Sequence, residues 1–270
     1  MILVIAVNYR TAAAACRFVE SLRTQHVTAW RCRLVDNGDC ESGRAALDEL
    51  PGKDARISIV RPGGNLGYFG GLRRGLASWT ADGNEIPEWS VVGNVDIVFD
   101  QPDFLACLQE VAPTVDVVAP SIISTLSGLD QNPYLVSPLS KFRAWRNYML
   151  HSRRSLAQLG RLYTAFAKPR LLPTAEDKPD QRRIYAPHGS LICFRRSWFD
   201  RGGTLDHEVF LFGEEISVGE QARALGARIE YVPSVRARHD EHNSTGLFLS
   251  KTIFAHQQAA TRYVWSLARR

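Results

Sequence analysis

The chain has 270 residues, of which 45% are apolar, so it can build one large domain or two small ones around a hydrophobic core. Its formal net charge is +5, an excess that suits anionic substrates, membrane headgroups or nucleic acid alike. The five cysteines are odd in number and scattered, with no CxxC pair, which argues against a disulfide framework and against a cysteine-bound zinc ion.

The first 123 residues alternate apolar runs with segments of helical composition. We predict strands at residues 2–7, 33–35, 57–60, 91–99 and 115–119, separated by helices at residues 12–23, 44–50, 72–79 and 104–111. This alternation is typical of an α/β fold, Rossmann-like, with a mostly parallel central sheet flanked by helices. Ligands of such sheets bind at the carboxyl ends of the strands, and the polar clusters of this chain fall there.

Residues 124–183 interrupt this alternation of strands and helices and form a basic insert. Residues 139–170 carry eight lysines and arginines and no acid, and this +8 leaves the rest of the chain at −3. Large apolar residues recur there at roughly helical spacing: Phe142, Trp145, Met149, Leu156, Leu159, Tyr163 and Phe166. The pattern predicts a basic amphipathic helix or helix pair. It either lies on an anionic membrane surface or packs its apolar stripe on the core.

The strand pattern resumes in residues 184–246, and residues 247–270 are again helical and basic. The sequence has no internal repeat and no strong domain boundary, so we expect a single domain over residues 1–270. The N-terminal apolar run lacks a basic leader, and no run approaches the ~18 residues of a membrane span. We therefore expect a cytoplasmic protein that can touch a membrane surface from that side.

Asp36 ends the second predicted strand, in the stretch VDNGD. A carboxylate at a strand end can accept a hydrogen bond from a nucleotide base or a ribose hydroxyl. The same residue types also favour an Asx-type turn for purely local reasons. Both interpretations stay open on this stretch alone.

The stretch GGNLGYFGGLRRG, residues 63–75, follows the third strand and opens a helix. Its glycines let the backbone approach a ligand closely, and the start of a helix favours an anion. The spacing matches neither a Walker loop nor GxGxxG, which weakens a nicotinamide-binding interpretation. A tight turn with close helix packing would need the same glycines.

Asn94 and Asp96 interrupt the apolar run at residues 91–99. A buried carboxylate costs several kcal/mol unless it is paired. Asp96 therefore either binds a hard cation such as Mg²⁺ or Mn²⁺ or accepts hydrogen bonds from backbone N–H groups.

Glu214 and Glu215 follow an aromatic run that ends in glycine, and they begin a predicted helix. Acids at a helix start suit the macrodipole, and either acid could instead serve as a general base in a pocket. His239 or His242, each close to acids, could ligate a metal or lie on the surface. The sequence has no HExxH or Cys/His zinc pattern.

The order of these motifs resembles the family 2 glycosyltransferases of the inverting GT-A type, and within them the rhamnosyltransferase-like subgroup. The matching stretches are residues 35–38, 65–71, 94–96, 189–190, 210–215 and 226–233, with His239. The resemblance covers residues 1–123 and 184–246 and leaves the basic insert uncovered. It implies one GT-A domain with a nucleotide-binding half at residues 1–123 and an acceptor half at residues 184–246.

The resemblance also implies roles for single residues. The nucleotide and its diphosphate would contact Asp36, Asn65, Gly67, Gly70, Gly71, Arg73, Asn94 and Asp96. Asp96 would bind a Mg²⁺ or Mn²⁺ ion that bridges the diphosphate, with Asn94 beside it and His239 as a further ligand or a contact of the diphosphate. Glu215 would be the catalytic base, with Glu214 beside it.

The chain departs from the family pattern at Glu215, where Asp is usual, and at Ser217, where a further acid is usual. A degenerate member that only binds a nucleotide or a partner is therefore one rival interpretation. A sugar nucleotidyltransferase is the other, although the first strand lacks the glycine-rich loop that such enzymes usually carry.

The expected donor is dTDP-rhamnose by subgroup resemblance, with UDP sugars open, and the expected acceptor is a glycan or a lipid-linked sugar of bacterial surface polysaccharide or lipopolysaccharide synthesis. Residues 139–170 are expected to make a peripheral membrane contact or to pack on the core, with nucleic acid ranked below both. The sequence does not specify an oligomeric state.

Overall fold

A computed structural model gives the structure of residues 1–38, 41, 43–166, 180–241 and 249–269. Two predictions fall outside this set: the metal-binding alternative at His242, and the last part of the basic segment, residues 167–170. The side chains of residues 163–166, with Tyr163 and Phe166 of the apolar stripe, also lie outside it.

The described strands belong to one nine-stranded sheet. They are β1 Ile2–Asn8, β2 Trp30–Asp36, β3 Ile57–Val60, β4 Trp89–Asn94, β5 Ile97–Val98, β6 Val117–Ser124, β7 Arg182–Arg183, β8 Leu191–Arg195 and β9 Ile229–His239. The described helices are α1 Ala12–Arg23, α2 Arg44–Asp48, α3 Leu50–Lys53, α4 Tyr68–Ala81, α5 Phe104–Gln109, α6 Lys141–Leu150, α7 Arg154–Phe166, α8 Arg196–Asp200, α9 Glu214–Leu225 and α10 Lys251–Arg269.

The strand order is β3-β2-β1-β4-β8-β6-β9-β5, with β7 paired to β9. Strands β3, β2, β1 and β4 are mutually parallel, as a chain of strand–helix–strand units requires. Strand β8 is antiparallel to both β4 and β6, whereas β6 and β9 are parallel. The predicted α/β fold with a helix-flanked central sheet is confirmed, and β8 makes its second half mixed because this strand runs in the opposite direction.

Strand β1 explains why the sheet is buried on both faces. Ile2, Val4 and Ala6 belong to one core cluster, and the alternate residues Leu3 and Ile5 belong to the other. Successive side chains of a strand point to opposite faces, so a continuous apolar run is the pattern of a central parallel strand. Strand β1 is therefore an interior strand, and its carboxyl end lies between those of its two neighbouring strands.

The prediction of one strand over residues 91–99 is wrong. Strand β4 ends at Asn94, a turn follows at Val95 and Asp96, and β5 pairs with the distant strand β9. Strand β4 ends where its last pairing with β1 ends, at Val7 and Asn94. Asp96 is therefore a turn residue between two strands and not a carboxylate inside a strand.

Two other element boundaries differ from the predicted ones. Strand β6 continues to Ser124, beyond its predicted end at residue 119. It remains paired with β9 up to Ser124, with a shift of register after Pro120. Helix α4 begins at Tyr68 and not at residue 72, directly after Gly67.

The basic insert contains α6 and α7, which pack on the C-terminal helix α10. Ala144 is the buried residue of α6, whereas Phe142 is 64% and Trp145 42% exposed. The large apolar residues Met149, Leu156 and Leu159 are exposed as well. The alternative in which this stripe packs on the core is therefore wrong for these five residues. Among the described helices, none is long and apolar enough to cross a membrane.

Candidate active site

The carboxyl ends of β1 and β2 bring two polar side chains together. Asn8 Nδ2 donates to Asp36 Oδ1 at 2.9 Å, and Arg61 Nε lies 3.6 Å from Asp36 Oδ2. Asp36 is only 6% exposed, so its carboxylate is held in place at the sheet edge. This is the position in which a strand-end acid of an open α/β sheet meets a ligand.

A cavity of about 470 Å³ opens beside these strand ends, and we call it the edge cavity. Its sheet side includes Asn37, Asn65, Gly67 and Asn94, and its other side is formed by residues of α10. One of these, His256, stacks on Phe210 with ring centroids 5.0 Å apart. The C-terminal helix therefore closes the edge cavity.

The glycines of residues 63–75 serve different purposes. Gly67 lines the edge cavity with φ +74°, and a Cβ atom there would lie 2.1 Å from the carbonyl oxygen of Phe210. Gly71 instead packs on the sheet, where a Cβ atom would meet Asn37 Nδ2 at 2.8 Å. Close packing thus requires a glycine at both positions, and contact of Gly67 with a ligand in the edge cavity stays a prediction.

Five members of the predicted nucleotide-binding set do not line the edge cavity: Asp36, Gly70, Gly71, Arg73 and Asp96. Gly70 and Gly71 are within α4, where Gly70 faces Leu66. Arg73 is exposed and forms an ion pair with Asp206 at 2.7 Å. Asn65, Gly67 and Asn94 remain as predicted members that line the cavity.

The turn after β4 places Asp96 against His239 at the end of β9. His239 Nε2 lies 3.2 Å from Asp96 Oδ1, a buried atom that accepts no hydrogen bond from the described residues. His239 Nδ1 lies 2.8 Å from Gln131 Oε1, and Gln131 Nε2 donates to Glu241 Oε1 at 2.5 Å. Because the second bond fixes which way the amide points, Gln131 presents its oxygen to His239, and Nδ1 carries the proton.

His239 Nε2 and Asp96 Oδ1 lie 3.2 Å apart. Two such atoms are bridged either by a proton on the imidazole or by a cation that binds both. Adjacent ligands of an octahedral ion with bonds of ~2.1 Å are about 3.0 Å apart, so the pair fits a divalent ion. The described residues contain no cluster of three or more His, Cys, Asp or Glu side chains suited to a metal. A bound ligand and water would have to complete the coordination.

Glu214 and Glu215 begin α9 after a strained turn. Phe212 has φ +71° and Gly213 φ +91°, and His207 Nε2 donates to the carbonyl oxygen of Phe212 at 3.1 Å. A bulky residue in this region costs roughly 1–3 kcal/mol and is typical of functional sites.

Glu215 lines a second cavity of about 490 Å³ between α6, α9 and α10, which we call the helix cavity. Glu214 is buried elsewhere, with Oε2 4.0 Å from His207 Nε2 and without a hydrogen bond. The structure thus distinguishes the two acids, which the sequence left open.

Burial raises the pKa of both acids. For Glu215, backbone hydrogen bonds, including those of Gly189 and Gly213, partly offset the effect of burial on the pKa. For Glu214, burial and then the charge of Glu215 raise the pKa to about 8. At neutral pH Glu214 is therefore protonated, and Glu215 is the acid that faces open space. The pKa of Glu215 is thus shifted upward by burial, which is the direction that favours a carboxylate as a general base.

Several site residues were not predicted. Gln131 and Glu241 fix His239, and residues of α10 line both cavities. His188 lies beside His239, and burial lowers its pKa to about 4, followed by the effect of His239. None of these positions belongs to a recognisable motif, so the sequence offered no signal for them.

The fold defines the class of the protein. Its sheet has a parallel half with polar strand ends, continued by a mixed half that carries the Asp96–His239 pair. Residues 2–203 match the family model for Glycosyl transferase family 2. The chain belongs to this family and is a glycosyltransferase.

The comparisons with single proteins agree with this assignment. The chain is 25% identical to the N-acetylglucosaminyl-diphospho-decaprenol L-rhamnosyltransferase of Mycobacterium tuberculosis, over 95% of this chain and 81% of that protein. Among solved structures, it resembles a mannosyltransferase of Pyrobaculum calidifontis in complex with GDP-Man and Mn²⁺, with a TM-score of 0.54, 15% identity and coverage of 99% and 72%. It also resembles GalNAc-T7 with UDP, GalNAc and Mn²⁺, with a TM-score of 0.60, 15% identity and coverage of 100% and 50%. At these identities the structural likeness concerns the fold.

Proposed function

We propose that the protein is a metal-dependent, inverting glycosyltransferase that uses a dTDP- or UDP-sugar as donor. Rhamnose is the favoured sugar because the relative that is 25% identical is a rhamnosyltransferase. The acceptor is a glycan or a lipid-linked sugar of bacterial surface polysaccharide or lipopolysaccharide assembly, met at the cytoplasmic face of the membrane.

The observation that carries this proposal is the approach of His239 Nε2 to within 3.2 Å of Asp96 Oδ1, a buried oxygen without a hydrogen bond from the described residues. The two residues would hold a Mg²⁺ or Mn²⁺ ion, which neutralises the charge that builds on a leaving diphosphate. Asn94, at the end of β4, lines the edge cavity close in sequence to Asp96. A nucleoside diphosphate in the edge cavity would therefore have its phosphates near this pair.

The donor half of the mechanism is binding and orientation. Asp36, fixed by Asn8 and Arg61, can accept a hydrogen bond from the base or ribose of the nucleotide. Gly67 brings the backbone up to the ligand, and α10 covers it. Orientation of the sugar carbon toward the acceptor contributes much of the rate enhancement.

The acceptor half is proton transfer. Glu215 in the helix cavity would take the proton of the acceptor hydroxyl as this oxygen attacks the sugar carbon from the side opposite the diphosphate. Direct displacement inverts the configuration at that carbon and needs no covalent intermediate. Glu214, protonated at neutral pH, adds no negative charge that would repel the leaving group.

The exposed stripe of α6 and α7 supports a membrane contact. Phe142 and Trp145 are exposed on the same helix as Arg146, and aromatic side chains beside cations suit an anionic lipid surface. The name of the relative, which specifies a diphospho-decaprenol substrate, agrees with such a location.

A thermal-shift panel tests the proposal. UDP or dTDP together with Mn²⁺ should raise the melting temperature of the parent protein, and Asp96→Ala should abolish this effect. Asp100→Ala is the matched control because Asp100 is an exposed acid four positions further on. A panel in which no nucleotide shifts the melting temperature would refute the proposal. Nucleotide binding without any sugar transfer would instead favour the degenerate binding member.

A further inference from the structure

Residues 188–190 lead into β8 and contact both halves of the candidate site. The carbonyl oxygen of Ser190 accepts a hydrogen bond from the backbone N–H of Asn94 at 3.0 Å, beside the edge cavity. Gly189 lies against Glu215, since a Cβ atom at Gly189 would be 2.8 Å from Glu215 Oε1. The segment therefore connects the edge cavity to the acid that lines the helix cavity.

The side chain of His188 contacts both halves as well. Its ring packs edge-to-face against Tyr134, with centroids 5.5 Å apart, and against His239, with centroids 6.3 Å apart. Tyr134 lines the helix cavity together with Glu215, and His239 belongs to the pair with Asp96. The imidazole of His188 therefore touches the border of the helix cavity and the border of the acid–histidine pair.

Hydrogen bonds fix both the position and the tautomer of His188. Its backbone N–H donates to Oδ1 of the buried Asn132 at 2.8 Å. The backbone N–H of Ser190 donates to His188 Nδ1 at 3.3 Å, and the hydroxyl of Ser190 lies 2.8 Å from the same atom. An imidazole whose Nδ1 accepts a hydrogen bond is neutral and carries its proton on Nε2.

The proton on His188 Nε2 is available to a ligand. Nε2 forms no hydrogen bond with the part of the chain that the structure describes, and solvent reaches this atom. The oxygens of a phosphate are bound most strongly by cationic donors, whereas a neutral N–H suits a hydroxyl group. His188 therefore presents a fixed, neutral donor beside the acid–histidine pair.

The geometry of direct displacement places the transferred sugar next to this donor. The leaving diphosphate and the base must lie on opposite sides of the reacting sugar carbon. The diphosphate is expected at Asp96 and His239 and the base is Glu215, so the sugar ring lies between them. We propose that His188 Nε2–H donates a hydrogen bond to a hydroxyl group of the transferred sugar and thereby orients it. This inference rests on the proposed function, which defines the two ends.

Comparison of sugar nucleotides with the free nucleoside diphosphates isolates this contact. Calorimetric titrations with Mg²⁺ compare dTDP-rhamnose with dTDP, and UDP-glucose with UDP, in the parent and in His188→Phe. Phenylalanine keeps a ring in place but has no N–H donor. It should weaken sugar-nucleotide binding about 2- to 10-fold, the usual contribution of one neutral hydrogen bond, and leave nucleoside diphosphate binding unchanged. Equal weakening of both ligands, or of neither, would overturn the assignment.

Two further variants separate the lost donor from a general disturbance. His188→Gln places an amide N–H near the position of Nε2 and should recover most of the affinity for the sugar nucleotide. His26→Phe changes an exposed histidine that precedes the amino end of β2, and it should affect neither ligand. Failure of His188→Gln to bind the sugar nucleotide better than His188→Phe would overturn the assignment.

The parent protein offers a measurement that needs no variant to fold. In ¹⁵N spectra recorded with Mg²⁺, the Nε2–H signal of His188 should move on addition of the sugar nucleotide and much less on addition of the nucleoside diphosphate. Equal shifts with both ligands, or a free-protein spectrum in which Nδ1 carries the proton, would overturn the assignment.

Failure of this inference is separable from failure of the proposed function. A parent protein that binds neither UDP nor dTDP refutes the proposed function, and this inference with it. A parent protein that binds them, and in which His188→Phe does not change the difference between sugar nucleotide and nucleoside diphosphate, refutes the role of His188 alone.

Discussion

The link from Gln131 to His239 gives the sharpest prediction about the metal. Gln131→Leu removes the acceptor 2.8 Å from His239 Nδ1, so the imidazole loses the contact that fixes its tautomer and ring orientation. Loss of such an outer contact typically weakens metal affinity about 10- to 100-fold, which corresponds to ~1.4–2.7 kcal/mol. We expect this loss for Mn²⁺ measured with UDP or dTDP present.

The assay is titration of free Mn²⁺ by electron paramagnetic resonance, with ¹⁵N spectroscopy of the imidazole as an independent readout of its tautomer. The double variant Gln131→Glu/Glu241→Gln exchanges the acid and the amide while keeping the net charge, and it presents an acceptor to Nδ1 again. It should recover most of the affinity. Unchanged Mn²⁺ affinity in Gln131→Leu, in a protein that still melts like the parent, would refute the reasoning about His239.

Four further predictions concern the two acids, the glycine loop and the membrane. Glu215→Gln should keep the nucleotide-dependent thermal shift and lower the initial rate of sugar transfer at least ~100-fold; an unchanged rate would exclude Glu215 as the base. Gly67→Ala should destabilise the fold by about 2 kcal/mol or more in urea unfolding, because its Cβ would meet the Phe210 carbonyl oxygen, whereas Gly64→Ala, with nothing within 4 Å, should cost far less. In the folded protein the pKa of Glu214 is raised to about 8. With respect to this group, the folded state therefore has its full stability below pH ~4.5, where the acid is also protonated in the unfolded chain. It loses that stability as the pH rises from there through about 8. Glu214→Gln should therefore melt higher than the parent at pH 9 and similarly at pH 5; equal melting at both would contradict the burial argument. Phe142→Ser/Trp145→Ser should reduce co-sedimentation with anionic vesicles, and unchanged sedimentation would refute the membrane contact.

The sequence predicted the half of the site that depends on local pattern. Apolar runs indicated β1, β2 and β3, and because parallel strands end at one edge, Asp36, Asn65 and Asn94 could be expected together. Gly71 shows the limit of that argument, since a glycine that packs on a strand and one that faces a ligand look alike in a sequence.

The remaining half depends on contacts between distant parts of the chain. Asp96 meets His239 only because β5 leaves β4 and pairs with β9, a pairing that no local pattern specifies. The choice between Glu214 and Glu215 depends on which of them lines the helix cavity. Helix α10 could be predicted as a helix, but its place across both cavities could not, because it is set by packing on α6.

We propose that Asp96 and His239 share a divalent ion with a nucleoside diphosphate. Calorimetric titration of UDP and dTDP, with and without Mn²⁺, tests it in the parent, Asp96→Ala and Asp100→Ala proteins. We expect Mn²⁺ to strengthen nucleotide binding at least tenfold in the parent and in Asp100→Ala, and not at all in Asp96→Ala. Nucleotide binding that is equally tight without Mn²⁺, or that is equally Mn²⁺-dependent in Asp96→Ala, would contradict it.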